Sequence, residues 1–323
     1  MGLAYRLIEE QDLPAVQRLW KEEAGWGTFA EELWQRFVVE APMGGVSGTL
    51  ATDTETGRVV GQFAFVPSLV SVGGRTVRAF RPAAPIVARS LRFRSANPLS
   101  HPLVAMYRHA VKALRERGDG LIYMVPDARW VRLFRMFPFL QTGSFPLWRL
   151  PLPLAAPLPL GEGFTAAPLD TWDERVDRLW EVSRRLHGCM VVRDSRTLPW
   201  KLGDAQYDVL GVERGGELVG LSASRRKGEQ WLVCDVLAAD TGDSLRATLA
   251  SVANLAHDKS LEGVRSGRIV PKVTVLTTPQ MEPAVRGLGF TRDAYDFPLV
   301  VHVLDPALKE AINPAHWYVS AND

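Results

Sequence analysis

Residues 57–61 read Gly-Arg-Val-Val-Gly and residues 216–220 read Gly-Glu-Leu-Val-Gly. Each is a glycine-framed apolar step, the composition of a hairpin turn running into a strand. Other features recur with them. Arg18-Leu19-Trp20 returns as Arg178-Leu179-Trp180, both times inside a helix-period segment, and Phe145-Pro146-Leu147 returns as Phe297-Pro298-Leu299. The three features keep their order at offsets of 160, 159 and 152 positions. Any one short string recurs by chance, but three in the same order predict two copies of one fold.

The connector between the copies is the proline-rich "PLPLAAPLPLGEG" of residues 151–163, an extended segment by composition. The expected domains are therefore 1–152 and 153–323. In the first half the patterning predicts a strand at Tyr5–Ile8 and helices at 13–24 and 29–39. Strands follow at 48–52, 59–66 and 69–80, the last folded over Gly73-Gly74, with a separate central strand at Ala84–Ala88. A helix at 103–117, the strand "GLIYMV", a helix at 128–137 and a closing strand at 144–150 complete it. The second half repeats the order: strands at 209–213, 218–225 and 231–237, a helix at 244–257, a strand at 272–277, a helix at 282–288 and a closing strand at 297–303. Each half is mixed α/β.

At 323 residues and 46% hydrophobic content the chain is long enough for two cores. No apolar run reaches the roughly 18–20 residues of a membrane span, and "MGLAYRLIEEQD" has no leader-like apolar stretch, so a cytoplasmic protein is expected. Cys189 and Cys234 stand apart, with no CxxC pair, and read as buried free thiols; no metal site is expected. The net charge of +2 is uneven. Twelve Arg and one Lys between Arg75 and Arg135 face Glu116, Asp119 and Asp127, a local balance of +10. Such a patch suits a polyphosphate, a nucleic acid or an anionic membrane surface. Arg129, Arg132 and Arg135 alternate with Trp130, Phe134 and Phe137, which reads as core packing behind a basic face, or as a peripheral membrane contact. The aromatics lack a single-strand-binding arrangement, which argues against nucleic acid.

The element order, the opening "EEQDLPAVQRLW", the hairpin "GRVVGQFAFVP", the "GLGF" before the last strand and the tail "INPAHWYVSAND" resemble the GNAT superfamily of N-acetyltransferases, as two GNAT-like domains in tandem. The resemblance implies an acyl-CoA co-substrate. Its pantetheine arm would lie along the fourth strand, at Ile86, Val87 and Ala88. Its pyrophosphate would be wrapped by an R/Q-x-x-G-x-G/A loop, here Arg92, Phe93, Arg94, Ser95, Ala96 and Asn97, with Ser95 and Asn97 at the glycine positions. Arginine charge and the start of the next helix would then replace the close glycine wrap. In the second half Asp240 and Asp243 stand where phosphate would bind and would repel it, so the resemblance places the cofactor in the first half and gives the second a supporting or acceptor-shaping role.

The family's tyrosine proton donor corresponds to Phe134 in one half and Val285 in the other, and neither can donate. The substitutes near the implied site are Tyr123, at the end of the fifth strand; His101, in the loop before the helix; and Asp127, an N-cap by position. The expected activity is an acyl-CoA-dependent N-acyltransferase acting on an amine: a small molecule, an amino sugar or a lipid-like amine. The alternative is a degenerate GNAT-like module that binds an anionic partner through the basic patch.

Overall fold

The computed structural model describes residues 2–23, 35–36, 40–43, 47–92, 100–126, 137, 140–202, 206–266, 270–313 and 316–323. The chain forms two compact units, the first from Met1–Val70, Thr76–Thr142 and Leu299–Glu310, the second from Ser71–Arg75, Gly143–Pro298 and Ala311–Asp323.

In the first unit the strands are β1 (Leu3–Leu7), β2 (Ser47–Asp53), β3 (Val59–Val72), β4 (Arg75–Val87) and β5 (Leu121–Met124), with helices α1 (Leu13–Glu23), the one-turn α2 (Arg89–Arg92) and α3 (Pro102–Glu116). The sheet runs β1-β2-β3-β4-β5 and is completed by the end of β13 (Thr291–Val303), whose Val300–Val303 pair antiparallel with Met124–Leu121. Helix α1 places Val16, Leu19 and Trp20 on one side of the sheet with Leu50 and Ile86. Helix α3 covers the other side, where Met106, Tyr107 and Ala110 pack on Phe63, Phe65, Phe80, Ile122 and Met124. Both helices carry apolar residues at three- and four-residue spacing, which is why each buries one face.

The second unit contains β6 (Leu140–Pro151), β7 (Phe164–Pro168), α4 (Glu174–Ser183), β8 (Cys189–Val191), α5 (Thr197–Leu202), β9 (Asp208–Arg214), β10 (Glu217–Lys227), β11 (Gln230–Ala238), α6 (Asp243–Ser266), β12 (Lys272–Leu276), α7 (Glu282–Gly287) and β14 (Trp317–Tyr318). Its sheet runs β6-β12-β11-β10-β9-β7. β11 and β12 are parallel, the other neighbours in this order antiparallel. Cys189 and Cys234 are free and buried, and burial raises their thiol pKa values to about 12 and about 11.

The repeated glycine frame does the same two jobs in both units. Gly57 and Gly216 sit in hairpin turns at φ +68° and +82°, a backbone region that favours glycine. Gly61 and Gly220 lie in strands beneath the central helices. A Cβ at Gly61 would come within 3.2 Å of Met106 Cε on α3, and one at Gly220 within 1.9 Å of Thr248 Oγ1 on α6.

Two expectations are corrected. The strands expected at 59–66, 69–80 and 84–88 are two long ones: β3 runs through Pro67, and β4 runs from the Gly73-Gly74 turn to Val87. The two halves also trade their closing strands. The strand closing residues 1–152 lies beside β12, pairing Leu147–Pro151 with Leu276–Lys272, and the strand closing residues 153–323 lies beside β5. The compact units therefore depart from the contiguous halves 1–152 and 153–323. Both closing strands carry Phe-Pro-Leu, and local pattern does not say which open edge each will fill.

Candidate functional site

The first unit's sheet opens between its two parallel strands. β4 pairs with β5 at Ala79–Leu121 and Phe80–Ile122. β4 continues to Val87, while Tyr123 and Met124 of β5 pair on their other side with Val301 and Val300. The strands part at this point, and Tyr123 is the first β5 residue past the last β4 pair. Side chains alternate along a strand. Ile122 and Met124 enter the core beneath α3, so Tyr123 faces the side that carries α1. It is 2% exposed, and its hydroxyl lies 3.1 Å from Ser68 Oγ.

The far end of β4 is tied down by its own neighbours. Ile86, Val87 and Ala88 are buried, and the Ala88 N–H donates to the Val60 carbonyl at 2.8 Å. Arg92 Nε donates to the Val87 carbonyl at 2.8 Å, Arg92 Nη2 donates to the Glu23 carbonyl at 2.8 Å, and the same nitrogen lies 3.5 Å from Glu23 Oε2. The Arg89 N–H donates to that carboxylate at 2.9 Å. Arg92 therefore anchors the strand end, and its charge is partly met by Glu23.

His101 has a structural task as well. Its Nδ1 accepts from the Leu103 N–H at 3.2 Å, capping α3, and the ring also hydrogen-bonds the Arg92 backbone. Burial lowers its pKa. With His101 as cap and Pro102 in the first turn, the start of α3 has fewer free N–H donors than the sequence led us to expect. The flanks of segment 93–99 are thus stitched together, His101 to Arg92 and Arg92 to Val87. Phe93, Arg94, Ser95, Ala96, Asn97 and Asp127 lie outside the described residues, as does the helix expected at 128–137 apart from Phe137.

The second unit has the same opening and fills it. β11 pairs with β12 from Trp231–Val273 to Val233–Val275, then continues to Ala238 with only β10 beside it. There the Val236 N–H donates to the Tyr318 hydroxyl at 3.2 Å, and that hydroxyl donates to the Val236 carbonyl. A side chain thus takes both backbone groups that an amide-bearing ligand would pair with. Burial first, then Asp235, raises the Tyr318 pKa, so the phenol keeps its proton. Its ring is held by Arg193, whose guanidinium carbon lies 4.7 Å from the centroid. Arg193 is itself fully buried between Asp235 Oδ1 at 2.7 Å and Asp323 Oδ2 at 2.5 Å.

At the start of α6, Asp240 Oδ1 accepts from the N–H groups of Gly242 and Ser244, at 2.8 and 3.2 Å. A carboxylate occupies the donors that a phosphate would use. The cavity between Val236, Leu245, Met281 and Tyr318 is about 20 Å³, room for about one water. Among the described residues no three His, Cys, Asp or Glu side chains gather as a metal would require.

Tyr123 lies in β5 just past the last β4 pair and Ile86–Ala88 at the far end of β4, whereas Ser68, Glu23 and Tyr318 carry no signal in the sequence that singles them out. Glu23 lies far from Arg92 in sequence, and Tyr318 meets β11 only because β14 pairs with β8.

No protein-family model matches the chain, and a comparison with curated proteins returns no match. Solved structures do match. A GCN5-related N-acetyltransferase from Kribbella flavida superposes with a TM-score of 0.68 at 18% identity, over 95% of this chain and 73% of that one. One from Anabaena variabilis gives 0.68 at 14% identity, over 95% and 74%. A Saccharomyces cerevisiae N-myristoyltransferase with bound myristoyl-CoA gives 0.60 at 11% identity, over 98% and 89%. The splayed parallel pair in each unit and these superpositions agree: the chain has the mixed α/β fold of the GCN5-related N-acetyltransferases.

Proposed function

We propose that this protein is an acyl-CoA-dependent N-acyltransferase, with one acyl-CoA bound in the first unit and an amine as acceptor. The observation that carries the reading is the contrast between the two openings. The second is closed by Tyr318 and Asp240, whereas in the first β4 and β5 part with a buried tyrosine hydroxyl at the fork.

Acyl-CoA supplies an acyl group activated as a thioester. In this reading β4 beyond Phe80 presents backbone N–H and C=O groups along the opening, and these orient the pantetheine arm and the thioester carbonyl. Tyr123, at the fork, donates a proton to the thiolate that leaves as the amine nitrogen bonds to the acyl carbon. Ser68 holds the Tyr123 hydroxyl and relays the replacement proton. The proton lost by the amine balances the one gained by the thiol. Arg92 and His101 fix the end of β4 and the base of the loop, and contacts to the pyrophosphate come from Arg94, Ser95, Ala96 and Asn97. The similarity to a Saccharomyces cerevisiae N-myristoyltransferase with bound myristoyl-CoA supports an acyl donor of this kind. The competing reading, a binding module for an anionic partner, requires free charge on Arg92, which Glu23 partly withholds.

The test is thiol release from acetyl-, octanoyl- and myristoyl-CoA in the presence of a panel of small amines, amino sugars and long-chain amines. The proposal predicts amine-dependent thiol release from at least one donor. Folded protein that releases no thiol from any of them contradicts it.

A further inference from the structure

A second cavity lies in the first unit, over the C-terminal half of α3. Its volume is about 470 Å³, within the range of small-molecule sites. The lining begins at Tyr107, so the cavity sits about 8 to 20 Å along the helix from the terminus that adjoins β4. It is separate from the opening between β4 and β5.

Two kinds of surface meet there. The floor is apolar and buried: the Tyr107 and Phe137 rings pack at 4.3 Å between centroids, with Val111 beside them. The rim is cationic, with Arg108, Lys112 and Arg115 on successive turns of α3 and Glu116 as the acid among them. The Lys112–Glu116 pair, at 3.9 Å with both side chains mostly exposed, cancels little of that charge.

One rim cation is oriented from below. His302, on β13 opposite Ile122, is 4% exposed, and its Nδ1 lies 2.6 Å from the Tyr107 hydroxyl. Its Nε2 lies 3.2 Å from Arg115 Nη2. Burial first, then Arg115, lowers the His302 pKa to about 4, so the ring is neutral near pH 7 and Nε2 accepts from the guanidinium. This contact uses one of the five N–H donors of Arg115 and fixes the direction of its fork. The contact satisfies the buried Nε2 and fixes the direction in which Arg115 presents its other donors.

We propose that this cavity is a second ligand site, taking a flat apolar molecule that carries a carboxylate or phosphate. The apolar body fills the cavity lined by Val111, Tyr107 and Phe137, and the anion meets Arg115 and Arg108, whose guanidinium groups suit a planar two-pronged contact. His302 is a positioning residue.

The test is calorimetric titration of the whole protein with 2-naphthoate, 2-naphthyl phosphate and the neutral 2-naphthylmethanol, each with and without saturating CoA. The expected result is saturable binding of at least one anion, weakened by salt. The alcohol should bind at least about tenfold more weakly, and the double variant Arg108→Ala, Arg115→Ala should lose at least about tenfold for the anion. Preference between the two anions identifies the head group. The proposal is overturned by equal affinity for the alcohol, by anion binding unchanged in the double variant, by competition with CoA, or by no binding to folded protein. Because both arginines are exposed on the helix surface, the double variant is expected to fold, and a circular dichroism melt checks this. None of these outcomes depends on acyl transfer, so this proposal and the previous one fail separately.

Discussion

Tyr123 and Tyr318 are two tyrosines at equivalent forks with opposite consequences. Tyr318 completes the hydrogen bonding of β11 from within the chain, while Tyr123 is held by Ser68 at a fork whose strands separate. If Tyr123 is the proton donor, Tyr123→Phe should lower kcat by about 10²-fold or more and leave the KM for acyl-CoA nearly unchanged. Steady-state kinetics at several pH values check this, since loss of an acid also changes the alkaline limb of the profile. Glu23 supplies a second prediction. Its carboxylate opposes any anion near Arg89 and Arg92, so Glu23→Gln should tighten acyl-CoA binding severalfold at low salt and less at high salt, read by calorimetry. Tyr123 stands out in the sequence as a polar-tipped residue near the end of an apolar strand beside the implied fork. Arg92 was legible as a loop cation, but its task as an anchor was not, because its partners Val87 and Glu23 come together only when β4 and α1 pack.

At the scale of elements, the repeated glycine frame was the most informative stretch because each glycine answers a geometric demand. The first sits at positive φ in a turn, and the second lets a helix approach a strand. The demand is unequal. Thr248 Oγ1 is pinned by donating to the Ser244 carbonyl at 2.7 Å and cannot easily yield to a methyl at Gly220, whereas Met106 is flexible above Gly61. Gly220→Ala should therefore destabilise the protein by about 1–3 kcal/mol and Gly61→Ala by clearly less, measured by urea denaturation. Three short strands were expected where β3 and β4 are two long ones that run through Pro67 and through Pro82 and Pro85; a strand tolerates proline where no neighbour needs its missing N–H. The exchange of closing strands was illegible for a different reason: β5 and β12 offer similar open edges, and the choice is made by long-range pairing.

At the scale of the whole molecule, acid sensitivity follows from two histidines, His302 buried and His187 half-buried. Burial first, then Arg115 for His302 and Arg193 for His187, lowers both pKa values to about 4. The unfolded chain, with histidine near 6.5, takes up these protons first as pH falls. Stability from this source is full above about pH 6.5 and is lost as pH falls from there towards 4. The urea midpoint should drop across that window, and His302→Gln, which takes no proton, should flatten part of the drop.

The central proposal concerns stoichiometry: of the two forks, only the first accepts acyl-CoA. Asp240 argues against phosphate at the second fork from charge alone, while the Tyr318 contact that fills that fork carries no sequence signal. Calorimetric titration of the whole protein with an acyl-CoA tests it most directly. The account predicts saturable binding of one acyl-CoA per chain, unaffected by Asp240→Ala. Two equivalents per chain, or no binding by folded protein, would contradict it.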